Sequence, residues 1–199
     1  MAYSDFRTLR QLEERLSVRH RFDTFLTAIE PVQPTIFFQN DLREALLYPT
    51  YPSEKAKSEL LIMPILKEVR RHSNTFQVFS GFMFDVDSSR GLTGFCDYLL
   101  SRNPESVEIA DPVFCIVEAK DRTVEEGFAQ AGAEMLAAQL YNQQQQHDEP
   151  AIYGCVTNAD VWMFLRLNGQ VLTIDRTRFY IGERDVPELL GTFLQIINQ

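Results

Sequence analysis

Apolar residues along this chain switch between a helical and a strand-like period, and the switches mark out its elements. From Ser4 to Arg19 a polar, helix-favouring run places Leu9, Leu12 and Leu16 on one stripe, which predicts a packing helix. Pro31 and Pro34 interrupt the chain, and Asn40 to Leu47 predicts a short helix that ends before the turn-rich Tyr48-Pro-Thr-Tyr-Pro52. Ser53 then stands as an N-cap before Glu54 to Arg71, where Leu61, Ile62, Ile65 and Val69 recur at helical spacing and Pro64 should introduce a kink. Three stretches rich in aromatic and β-branched residues follow, Phe76 to Val86, Gly94 to Leu100 and Pro112 to Lys120, and predict consecutive strands. Val124 to Gln146 lacks proline, is rich in alanine and carries Phe128, Ala131, Met135 and Ala138 along one face, so it predicts a long helix packed on the sheet. Ala151 to Thr157, Val161 to Leu167 and Val171 to Ile174 predict three further strands, with Asn168-Gly169 turning the last pair, and Val186 to Ile197 predicts a closing helix.

The chain has 199 residues, 45% of them apolar and 24% charged, which suits one folded unit with a core rather than disorder or a membrane class. No apolar run approaches the roughly 18 to 20 residues that cross a bilayer, and the N-terminus lacks a signal-peptide pattern, so a cytoplasmic location without membrane contact is expected. Cys96, Cys115 and Cys155 are odd in number and set among apolar residues, which predicts buried reduced thiols. A formal charge of -9 argues against a protein that coats nucleic acid through a broad basic surface. Lys55, Lys57, Lys67, Arg70 and Arg71 make one stretch locally basic, a pattern read as a solvated helix face.

The chemistry lies in two of the strands. Phe114-Cys-Ile-Val-Glu-Ala-Lys120 runs from apolar residues into two opposite charges, and residues two apart on a strand share a face, so Glu118 and Lys120 are expected to project together with Phe114 and Ile116. Taken alone this is the charged end of a strand meeting water. The preceding strand changes that reading, because Asp97 stands alone among Gly94-Phe-Cys and Tyr-Leu-Leu100, and a buried carboxylate needs a hydrogen-bond partner or a cation. If the strands are neighbours, Asp97, Glu118 and the Ala119 carbonyl form a hard oxygen site suited to Mg²⁺ or Mn²⁺. On the helix that follows, Gln130 and Glu134 are four apart, Gln130 near where the helix would approach Lys120 and Glu134 assigned to an exposed polar face.

Asp97, a gap of 21 positions, then Glu118-Ala-Lys120 resembles the D…(D/E)-x-K signature of PD-(D/E)XK nucleases. The order of elements is similar too. The resemblance implies an α/β, restriction-endonuclease-like fold: an α-β-β-β-α-β core over residues 53–167, a mixed central sheet flanked by helices, a helical N-terminal extension over 1–52, and a C-terminal hairpin strand plus helix over 168–199, all in a single domain. Ser53-Glu54 with Leu61-Ile62-Met-Pro64-Ile65-Leu66 resembles the first core helix in nuclease domains of type I restriction motor subunits and related bacterial proteins. In that family this helix contributes a carboxylate. Glu54 is one candidate, and Glu59, placed as in Holliday-junction resolvases, is the other. The family pattern has a proline before the aspartate, where this chain has Cys96. The resemblance implies a Mg²⁺- or Mn²⁺-dependent nuclease acting on nucleic acid, DNA before RNA, with Asp97, Glu118 and Ala119 on the metal, Lys120, Gln130 and Glu54 or Glu59 beside it, and a homodimer or partner subunit as a natural assembly. A noncatalytic interaction module on the same fold is the alternative.

Overall fold

A computed structural model of the chain describes residues 1–47, 53–109, 112–147, 149–181 and 185–199, so the turn expected over 48–52 lies outside the described residues. A 3-10 turn at Tyr3–Asp5 leads into α1 (Leu9–Leu16), then β1 (Arg19–Asp23) and α2 (Ile36–Ala45). The next helical segment comes in three pieces, α3 (Glu54–Lys57), a π turn (Ser58–Ile62) and α4 (Met63–His72). β2 (Gln77–Met83), β3 (Phe95–Ser101) and β4 (Val113–Ala119) precede a 3-10 turn (Val124–Gly127) and α5 (Phe128–Gln144). β5 (Ile152–Thr157), β6 (Val161–Asn168), β7 (Val171–Asp175), β8 (Phe179–Tyr180) and α6 (Val186–Ile197) complete the chain. The fold is mixed α/β, an eight-stranded mixed sheet flanked by helices, ordered β1-β7-β6-β5-β4-β3-β2 with β8 on β6.

Local chemistry explains most of the boundaries. Thr8 Oγ1 accepts from Gln11 N, and the Gln11 side chain returns the bond to the Thr8 N–H, so α1 starts at a capping box. It is shorter than the run that predicts it. Ser17 takes a left-handed conformation (φ 60°) and stops it, and the chain continues as β1, paired parallel with β7. β1 is exposed along its whole length, so no alternation of apolar residues announced it. Ser53 caps α3 as expected, its Oγ accepting from Ala56 N at 3.1 Å. The kink expected at Pro64 is taken up by the π turn just before it, where the wider turn absorbs the break that a missing N–H imposes.

The two faces of the sheet bury separate cores. One joins Leu12 and Leu16 of α1, Ala133 and Met135 of α5, and Leu99 and Ile116 of the sheet. The other joins Leu61, Ile65 and Val69, Phe114, Trp162 and Phe164, and Leu189 and Phe193 of α6. This division corrects one expectation. The β3–β4 register steps from Leu100↔Cys115 to Ser101↔Val113, so Phe114 is the extra residue of a β-bulge. The bulge reverses the alternation, and Phe114 packs on the second core, edge-on to Phe76, while Ile116 lies in the first. Phe114 therefore does not share a face with Ile116 and Glu118. Cys96, Cys115 and Cys155 are free and buried, as their apolar settings imply.

Candidate active site

The β3–β4 ladder ends at Tyr98↔Val117, and the next residue on each strand is a carboxylate, Asp97 on β3 and Glu118 on β4. Past that point Asp97 replaces the main chain, with its Oδ2 accepting the Ala119 N–H at 2.8 Å. The Asp97 charge acts on Glu118. On the other side of β4 the Lys120 N–H donates to the Thr157 carbonyl at 2.8 Å, extending the pairing with β5 just far enough to fix the Lys120 backbone.

The Lys120 ammonium donates to Glu118 Oε1 and to Gln130 Oε1, the latter at 3.1 Å. Gln130 Nε2 in turn donates to Glu134 Oε1 at 3.0 Å, and the Glu134 charge acts on Glu118. Four side chains from β4, the residue after it, and α5 thus form one hydrogen-bonded chain, Glu118 to Lys120 to Gln130 to Glu134. The 3-10 turn at the head of α5 supports it from below: a Cβ on Gly127 would stand 2.5 Å from Val156 Cγ1 and 3.1 Å from Lys120 Cγ. Glycine there lets the stem of Lys120 lie against the turn.

Glu118 Oε2 and Glu134 Oε2 are buried and face no donor among the described residues. Such orphaned acceptors are uncommon and call for a proton, a water or an ion. Burial, then the charges of Glu134 and Asp97, raise Glu118 well above the usual carboxylate range against the pull of Lys120. Burial, with Asp97 adding to it, lifts Glu134 to about 8 despite the Gln130 bond. Asp97 is raised by burial and partly restored by the Ala119 N–H. Burial works to lower Lys120, but the Glu118 charge, with Asp97 and Glu54 behind it, outweighs burial and raises it. The ammonium stays charged while the carboxyls around it compete for protons.

Of the two helix carboxylates, Glu54 belongs to the cluster. Burial and then the Asp97 charge raise its pKa, and Lys120, Asp121 and Lys57 also act on it. Glu59 lines the same cleft but is 65% exposed and pairs with Lys55 at 3.8 Å. The cleft measures about 390 Å³ and runs from Glu54 and Ser58 past Ser80, Gly81, Asp97 and Tyr98. Tyr98 Oη donates to the Ser58 carbonyl at 3.2 Å, tying the π turn to the strand that bears Asp97. Lys57, largely buried, holds the Asp121 carbonyl and so ties α3 to the loop after Lys120.

The structure therefore brings together Asp97, Glu118, Ala119, Lys120, Gln130 and Glu54, and leaves Glu59 at the rim. Glu134 departs from expectation. It is fully buried inside the cluster rather than on an exposed polar face. The reason is that α5 is buried nearly all round, with Ala129, Ala131, Ala133, Ala137 and Ala138 packed on every side, so it has no wet stripe to carry a carboxylate. That ring of alanines was the one available signal.

No family model matches this chain, and no curated protein matches it. Among solved structures, a DrdV–DNA complex determined by cryo-electron microscopy aligns with 82% of this chain at a TM-score of 0.46 and 8% identity. The aligned part makes up 13% of that protein's chain. At that level of similarity no residue role transfers.

Proposed function

We propose that this chain hydrolyses phosphodiester bonds of DNA as a divalent-metal-dependent nuclease of the PD-(D/E)XK type. The observation that carries the reading is the convergence of Asp97, Glu118 and Lys120 where β3 and β4 part, beside a cleft and with Glu118 Oε2 buried and lacking a donor. A carboxylate oxygen in that position suits a hard cation. Among the described residues no three His, Cys, Asp or Glu side chains form a metal-holding group. The ion would be held by Asp97, Glu118 and the main-chain carbonyl of Ala119, the donor set that the sequence motif implies. When bound, Mg²⁺ or Mn²⁺ supplies polarisation of the phosphate and a water of lowered pKa.

The residues of the chain supply the rest. Lys120, aimed by Glu118 and Gln130, donates to the attacking water or to the charge that builds on the phosphate oxygens. Glu54, on the cleft wall and already raised towards its neutral form by burial, orients a water or exchanges a proton with it. The cleft admits the scissile phosphate between the π turn and β3. A chain of charge -9 has little broad attraction for DNA, so a partner subunit would supply backbone contacts, while a second copy would pair two sites for the two strands. The same acidity favours the second reading, a noncatalytic module on this fold.

Nicking of supercoiled plasmid in Mg²⁺ or Mn²⁺ separates the two. Wild type should nick, and Asp97→Asn and Lys120→Met should lose about 100-fold or more in rate. An inert wild type in both cations would leave the interaction module as the better account.

A further inference from the structure

Glu134 lies one helical turn beyond Gln130 and has no part in the proposed reaction, yet it is wholly buried and accepts a hydrogen bond from Gln130. A primary amide has one donor end and one acceptor end. With its Nε2 on Glu134 Oε1 at 3.0 Å, Gln130 must turn its Oε1 towards the Lys120 ammonium, which it meets at 3.1 Å. A flipped amide would set donors against a cation and leave Glu134 Oε1 buried without a donor, both costly where the partners are largely buried. Lys120 has a second acceptor in Glu118, but Glu118 is also the residue that would turn to a metal ion. Gln130 is then the acceptor that keeps the ammonium in place.

We infer that Glu134 is a positioning residue for Lys120: its Oε1, accepting from Nε2, fixes the orientation of the Gln130 amide, and the amide carbonyl holds the ammonium over the site. The purpose of this relay rests on the nuclease reading, whereas the relay itself is a property of the folded chain. Glutamine at position 134 keeps the relay, because its carbonyl accepts from Gln130 Nε2 and its NH₂ faces Glu118. Leucine breaks it.

The direct test is the ¹⁵Nζ resonance of Lys120, assigned by its loss in Lys120→Arg, with hydrogen exchange of the ammonium followed by NMR. Wild type and Glu134→Gln should exchange slowly. Glu134→Leu and Gln130→Ala should exchange about tenfold faster, the equivalent of one lost hydrogen bond. The double variant should exchange no faster than Gln130→Ala alone, because Glu134 acts through Gln130. Unchanged exchange in Glu134→Leu, or additive effects in the double variant, would overturn the inference. Glu134→Met, a longer apolar replacement, serves the same purpose where leucine does not fold. Plasmid nicking on the same proteins should show kcat reduced with KM unchanged in Glu134→Leu and kcat restored in Glu134→Gln. If no protein nicks while the exchange pattern holds, the nuclease reading fails and the positioning relay stands.

Discussion

Glu54 and Glu59 lie five positions apart on one helical segment, and the structure separates them by environment: one is half-buried within reach of the Asp97 charge, the other is solvated beside Lys55. Glu54→Gln should therefore lower the nicking rate by about 10- to 100-fold, the usual cost of removing a residue that supports a metal site, while Glu59→Gln should stay within about twofold. Equal losses in both would return the question to where the sequence left it. The buried carboxyls also leave a mark on stability. Their folded pKa values are raised, so the folded chain retains protons that the unfolded chain would release. That contribution is fully present below the ordinary carboxylate range and is lost as pH rises through the raised values, up to about 8 for Glu134. Glu134→Gln removes the penalty, and its melting temperature should exceed that of wild type at pH 9, by about 2–4 °C per kcal/mol relieved, and converge with it at pH 5. A variant that melts lower at both pH values would mean that the carboxylate stabilises the charged fold. Asp97, Glu118 and Lys120 were legible in the sequence because each interrupts or ends an apolar strand, a costly placement without a purpose. Glu134 was not, because a polar pair four apart on a helix reads as a solvent face.

At the scale of elements, the segment that carries Glu54 depends on the π turn at Ser58–Ile62. A π turn holds one residue more than the α turn it replaces, so it resets the phase between α3 and α4. Leu61, Ile62, Ile65 and Val69 are fixed in the second core, and the extra residue decides which way α3 presents Glu54. Deleting Leu60, half-exposed on that turn, should restore an α turn, rotate α3 by about 100° and take Glu54 off the cleft. Nicking should fall to the level of Glu54→Gln while circular dichroism and the melting midpoint stay close to wild type. Retained activity would show that Glu54 does not need this phase. The strands from Gln77 to Asp175 follow the runs of β-branched and aromatic residues that announce them, and α6 follows its apolar period. Three features had no such signal. β1 buries no side chain, β8 is two residues long, and the bulge at Phe114 arises from pairing between strands, which no single strand's pattern encodes.

Across the whole molecule, the sheet brings residues from four regions of the chain to one end: Glu54 from the first helical segment, Asp97 from β3, Glu118 to Lys120 from β4, and Gln130 with Glu134 from α5. Two separate cores, one on each face, hold these elements in register, and the site forms where the antiparallel β3–β4 pairing stops at Val117 and the parallel β4–β5 pairing continues two residues further, to Ala119. The arrangement is costly for folding, since Glu118 Oε2 and Glu134 Oε2 are buried with no donor among the described residues, and a cation is the group that the proposed function calls for at Glu118. Calorimetric titration of Mn²⁺ into wild type, Asp97→Ala and Glu118→Ala tests this most directly. The account predicts saturable binding of the ion to wild type, weakened by about tenfold or more in each variant while both remain folded. Equal binding by all three proteins, or no binding by wild type, would contradict it.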